Sequence, residues 1–249
     1  MSLLALGCLS VSSQAFSVAL HMDTIAESAH DVYDSGTLDG VSSVSKSLST
    51  NVGSSLATGN NMVSIGSLHA SMLGTGGKAD SLATGLFLDS VTPLGAPTSN
   101  FIFVRWTWNV TGTATAIGTA ARNFSFFSFT SNSEGGFLGS KFTITIANGN
   151  VVSFGYDGGI MTFDVAYRWG QNYDVFGRLD AQVGNTQSFS TGSATLDFGN
   201  SAHAYAQVLT PGYTLGSQSG HDYSAVPEPG SLALAAFGLA ALVRRRRPR

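Results

Sequence analysis

Apolar and polar residues alternate with a period of two over much of the chain. Across residues 101–111, reading FIFVRWTWNVT, the residues Ile102, Val104, Trp106, Trp108 and Val110 fall on one face, and Arg105, Thr107 and Asn109 on the other. Across residues 141–147, Phe142, Ile144 and Ile146 alternate with Lys141, Thr143 and Thr145. Successive side chains of an extended chain point to opposite faces, so this pattern predicts strands with one buried and one wet side. Asn148-Gly149-Asn150 then predicts a hairpin turn into residues 151–156, and Asp157-Gly158-Gly159 a second turn into residues 160–168. Residues 124–129 are aromatic-rich, and residues 173–183, 191–198 and 203–209 continue the series. Strands bounded by turns, roughly every 8–14 residues with no helical stretch between them, predict an all-β fold, a jelly-roll-like β-sandwich over residues 16–211.

Residues 34–78 have a weaker pattern. They are rich in Ser, Gly, Ala and Asn, with apolar residues at Val41, Val44, Leu48, Val52, Leu56, Met62, Ile65 and Leu68. Thinly packed strands are expected there. Residues 212–225 read as a polar spacer. The aromatic content of 10% argues against disorder, and 11% charged residues with 30 glycines suit an extracellular β protein.

The far C-terminus departs from all of this. Val226-Pro227-Glu228-Pro229-Gly230 leads into residues 232–243, which hold only Leu, Ala, Val, Phe and one Gly; Arg244, Arg245, Arg246 and Arg247 follow. Proline disfavours helix at its own position and before it, so the Pro-Glu-Pro triplet is expected as an exposed extended peptide. The apolar run would span about 18 Å as a helix, against the ~30 Å of a hydrocarbon core, which makes it a short anchor. Arginines beyond it resist crossing, so the body is expected on the far side of the membrane. In its order of triplet, apolar helix and basic tail, the segment resembles the PEP-CTERM protein-sorting domain of Gram-negative bacteria that make exopolysaccharide. The resemblance implies recognition by an exosortase, a membrane enzyme that cleaves near the motif. It assigns Pro227, Glu228 and Pro229 to the recognition triplet, residues 231–243 to the transmembrane helix, and Arg244, Arg245, Arg246 and Arg247 to the basic stop. It covers residues 226–249, about a tenth of the chain.

A sorting signal requires export, so residues 1–15 are expected as a signal peptide, with Ser13-Gln14-Ala15 as a small-x-small cleavage site. The first basic residue is Lys46, so a cationic leader start is missing: either the start is set too far downstream or the leader is weak, and the former is favoured. Cys8 is the one cysteine and lies within that leader, so no disulfide is expected in the mature body.

Charge narrows the partners. Setting the five tail arginines aside leaves seven basic residues against 15 acidic ones, a net of −8, which repels a phosphate backbone. Gly74-Thr75-Gly76-Gly77-Lys78 has the wrong glycine spacing for a phosphate loop, and Ala79 stands where magnesium needs Ser or Thr. Gly216-Ser217-Gln218-Ser219-Gly220 has Gln where a nucleophile elbow needs Ser. His21, His30, His69, His203 and His221 show no metal-ligand spacing. Asp31, Asp34 and Asp39, with Gly36 and Gly40, form a turn-rich acidic cluster and are the calcium candidates. Trp106 and Trp108 read as core residues. With no catalytic constellation, the expectation is a non-enzymatic surface or matrix protein, associated with exopolysaccharide and sorted through an exosortase. The alternatives are a carbohydrate-binding module and, less favoured, a secreted hydrolase.

Overall fold

The structure, a computed structural model, describes residues 16–96, 99–118, 120–147, 150–154, 160–184, 192–198 and 202–224. Among them there is no helix. The strands are β1 (Ser17–Ala26), β2 (Ala29–Asp39), β3 (Ser43–Val52), β4 (Ser55–Ser64), β5 (Ser67–Thr75), β6 (Ala79–Gly95), β7 (Ile102–Asn109) and β8 (Thr113–Gly118). They continue as β9 (Ala121–Ser131), β10 (Phe137–Ala147), β11 (Asn150–Phe154), β12 (Ile160–Tyr167), β13 (Tyr173–Gly184), β14 (Gly192–Phe198), β15 (His203–Val208) and β16 (Tyr213–Ser217).

The strands form two antiparallel sheets packed as a sandwich. The first runs β11-β10-β9-β13-β6-β1-β2. Its spine is β6, which pairs with β13 on one side and with β1, then β16, on the other. The second runs β12-β7-β15-β5-β14-β8, and β4 carries β3 onto the free side of β5. The strands on either side of the expected Asn148-Gly149-Asn150 turn, β10 and β11, pair antiparallel, with Ala147 opposite Asn150; residues 148–149 themselves lie outside the described residues.

The period-two faces are the core faces. In β7 the side chains of Ile102, Val104, Trp106 and Trp108 are fully buried, and Phe103 and Arg105 are exposed. Trp108 bridges the sheets, with its ring 4.6 Å from Phe126 and 5.8 Å from Phe87. Gly177 on β13 makes the room: a Cβ there would lie 2.5 Å from Phe87 Cε1 and 3.0 Å from Trp108 Cη2. The Ser/Gly-rich region forms full-length strands β2 to β5, and its small residues allow close approach of the sheets: a Cβ on Gly59 would lie 3.0 Å from Ser81 Oγ and 3.1 Å from Met22 Cε. The Trp106 indole N–H donates to the Tyr167 hydroxyl at 2.9 Å, and Thr130 Oγ1 lies 2.7 Å from the same oxygen, so these two buried polar tips are satisfied.

One expected boundary changes. Residues 213–224, read as part of a polar spacer, belong to the domain: β16 lies against β6, and Tyr223 is buried. The polar composition of the stretch hides its anchors, which lie far away in sequence. The expected signal peptide (1–15), transmembrane helix (231–243) and sorting triplet lie outside the described residues.

Candidate functional site: the C-terminal strap and an aromatic cleft

The anchor of the C-terminal stretch is Asp89, a fully buried carboxylate on β6. Its Oδ1 accepts the backbone N–H of Ser90 (2.8 Å) and of Ser219 (3.2 Å). Its Oδ2 accepts the hydroxyls of Ser219 (2.7 Å) and Tyr223 (2.9 Å). Four donors replace the water that the charge lost on burial. Gln218 N–H donates to Ser90 O on the first sheet, and Ala206 N–H on β15 of the second sheet donates to Tyr223 O. Residues 218–224 are therefore a strap across both sheets. The Tyr223 ring meets Trp106 edge-on at 5.0 Å, and the His221 ring meets Tyr223 at 4.6 Å. Burial, reinforced by the Asp89 charge, pushes the Tyr223 hydroxyl well above the usual phenol range and keeps it a donor. Burial also lowers the His221 pKa, against the opposing pull of Asp89 and Asp222. Gly66, at φ +74°, has no side chain to collide with the His221 ring that lies against it.

Three histidines that look scattered in sequence meet beside the strap. His69, His203 and His221 line one cavity with Ser67 and Ser219. The His69 and His203 rings are 5.4 Å apart, and Ser67 Oγ lies 2.7 Å from His69 Nε2. Among the described residues no group of three or more His, Cys, Asp or Glu side chains is arranged to hold a metal ion.

The calcium candidates do not converge. Asp31 and Asp39 lie eight residues apart on β2, roughly 26 Å at ~3.3 Å per extended residue. Asp34 is engaged with His21 Nδ1 at 3.5 Å and accepts the Gly36 N–H at 2.8 Å. A turn-like sequence here is strand, which spreads its acids along an edge. The phosphate-loop lookalike at residues 74–78 is filled by a carboxylate: Glu27 Oε1 accepts Lys78 N–H at 3.0 Å and Ser55 Oγ–H at 2.6 Å. An anion would be repelled from that turn.

A second feature had no sequence signal. The β6–β7 and β12–β13 connections meet at one end of the sandwich and form a cleft of about 410 Å³, lined by Ser99, Asn100, Phe101, Arg168, Trp169 and Gln171. Trp106 and Trp108 are sealed in the core, but Trp169 is 44% exposed and Phe101 41% exposed. The cleft walls are pinned by hydrogen bonds: Trp169 Nε1 to Gly95 O (2.8 Å), Arg168 N to Tyr173 Oη (2.7 Å) and Ser99 N to Tyr213 Oη (2.8 Å). The Arg168 guanidinium lies 5.8 Å from the Phe101 ring centre.

The sorting residues Pro227, Glu228, Pro229, Arg244, Arg245, Arg246 and Arg247 lie outside the described residues. Among the described residues no helix is long and apolar enough to cross a membrane. Residues 225–247 match the model of the PEP-CTERM protein-sorting motif. No curated protein matches the chain. The chain thus carries a PEP-CTERM sorting signal, which implies export, membrane-associated sorting and processing by an exosortase. The match begins at the residue after Ser224, the last described residue of the strap.

Proposed function

We propose that this is an exported, non-enzymatic surface or matrix protein of a Gram-negative bacterium, whose β-sandwich is the delivered cargo and is retained with exopolysaccharide. The observation that carries this reading is the junction. The sorting motif is joined directly to a strap that locks the sandwich shut, so cutting at or beyond the triplet releases the domain with every strap contact intact. From Ser224 to Pro227 the chain can span at most about 11 Å. The processing enzyme must therefore work close to a rigid body, with Pro227, Glu228 and Pro229 as its recognition triplet. Before processing, residues 231–243 hold the protein in the inner membrane and the four arginines stay cytoplasmic. Replacing Pro227, Glu228 and Pro229 with alanine in an exosortase-bearing host is expected to leave full-length, membrane-held protein. Intact mass of the wild-type product reads both cleavage positions. Unchanged processing of the alanine variant would refute the assignment.

A second reading, a carbohydrate-binding domain, is favoured by one observation: Trp169 and Phe101 stand exposed in a cleft with polar side chains around them. It is tested by titrating the host's own polysaccharide while following tryptophan emission, where no response counts against it.

A further inference from the structure

We infer that the Trp169 cleft binds an acidic sugar, a uronate or similar carboxylate-bearing unit, within an otherwise sparsely charged glycan. The inference rests on the carbohydrate-binding reading and goes further by naming the sugar chemistry and the residues that select it.

Three features of the cleft point to this ligand. The first is its pair of exposed aromatic rings. The C–H face of a sugar ring is apolar and packs on an aromatic face, while hydroxyls at the ring edge need donors and acceptors nearby. Trp169 and Phe101 offer the rings, and the exposed Asn100 and Gln171 offer amides. Gln171 Oε1 is taken by the Tyr173 hydroxyl at 3.0 Å, which orients the amide.

The second is the state of Arg168. Arg105 forms a paired contact with Asp164 at 2.7 and 2.8 Å, and Arg178 pairs with Asp180 at 2.9 Å. Among the described residues no carboxylate pairs with Arg168, whose guanidinium is instead held near the Phe101 ring. In a body with a net charge of −8 outside the tail arginines, a guanidinium with no acid partner among the described residues, beside two exposed rings, is a ready partner for a ligand carboxylate, which it can grip with two parallel N–H groups.

The third is rigidity. Hydrogen bonds to Gly95 O, Tyr173 and Tyr213 fix both walls to the sheets, and Gly170 N–H donates to Pro93 O at 3.3 Å. Little ordering cost is left to binding. The net charge of −8 outside the tail arginines sets the charge density of the polymer. A chain with a carboxylate on every unit would be repelled by the body, whereas isolated acidic units on a neutral backbone would not.

The test uses glucuronoxylan and the host's native exopolysaccharide, each compared with its carboxyl-reduced form, which keeps the ring and removes the charge. Trp106 and Trp108 are fully buried, so a change in exposed tryptophan emission reports Trp169. Affinity electrophoresis covers variants lacking that reporter. The acid forms are expected to bind at least about tenfold more tightly than the reduced forms, and Arg168→Gln is expected to erase that difference. Trp169→Ala is expected to abolish binding of both forms, with far-UV circular dichroism unchanged because the side chain is exposed. Equal binding of acid and reduced forms overturns the acidic-sugar inference and leaves the carbohydrate reading standing. Binding that Trp169→Ala and Arg168→Gln do not change places any site elsewhere and also overturns the inference. No binding of any polymer overturns both.

Discussion

Tyr223→Phe deletes one oxygen from the strap and leaves its packing in place. The ring still meets Trp106 edge-on at 5.0 Å, so little apolar burial is lost. What disappears is the 2.9 Å bond to Asp89 Oδ2, a hydrogen bond to a buried charge, worth about 1.5–3 kcal/mol. Asp89 keeps the Ser219 hydroxyl on the same oxygen at 2.7 Å, which prevents the larger cost of an orphaned carboxylate. A loss near 2 kcal/mol in a domain of this size lowers Tm by about 4–8 °C, taking about 2–4 °C per kcal/mol. Asp89→Ala must cost more, because it strands several buried donors at about 1–3 kcal/mol each. Thermal unfolding followed by far-UV circular dichroism measures both variants. Hydrogen exchange at the Ala206 and Gln218 N–H groups, which bond across the strap, detects local opening. A Tyr223→Phe protein within about 0.5 kcal/mol of wild type, with unchanged exchange at both amides, would refute the strap.

Strap stability should also depend on pH through His221. Burial lowers its folded pKa, so the unfolded chain binds the proton more readily. The stabilisation is then complete above about pH 6.5 and falls as pH drops below it toward the lowered folded value. Tm measured from neutral to mildly acid pH should decline less in His221→Gln than in wild type; parallel profiles would remove His221 from the account. Gly177→Ala should destabilise by about 1–3 kcal/mol, because the new methyl meets Phe87 and Trp108 in a filled core; denaturant midpoints at constant m-value measure it, and a neutral result would contradict the packing.

Much of the fold was readable from local pattern. The β7 face of Ile102, Val104, Trp106 and Trp108 follows from period two alone, since a strand has no other way to place those residues together. The weak pattern of residues 34–78 still marked strands, because small side chains narrow the gap between sheets without abolishing the alternation. The strap looks like a spacer in sequence for a physical reason. Asp89 and Tyr223 are 134 residues apart, and each looks ordinary in its own neighbourhood. The same holds for His69, His203 and His221, which only the pairing of β15 beside β5 and the return of the strap bring to one cavity. Trp169 sits between turn residues with no period to read, and its exposure was decided by how two connections pack at the sandwich end.

By itself the sequence determined the strand periodicity, the acidic body and the sorting tail, because each is a local arrangement: alternation, charge count, and triplet, apolar run and arginines in order. The tertiary structure alone decided that residues 213–224 belong to the domain and which aromatics face solvent. Those depend on contacts between residues far apart in the chain, above all four donors converging on one buried carboxylate and two loops closing around Trp169.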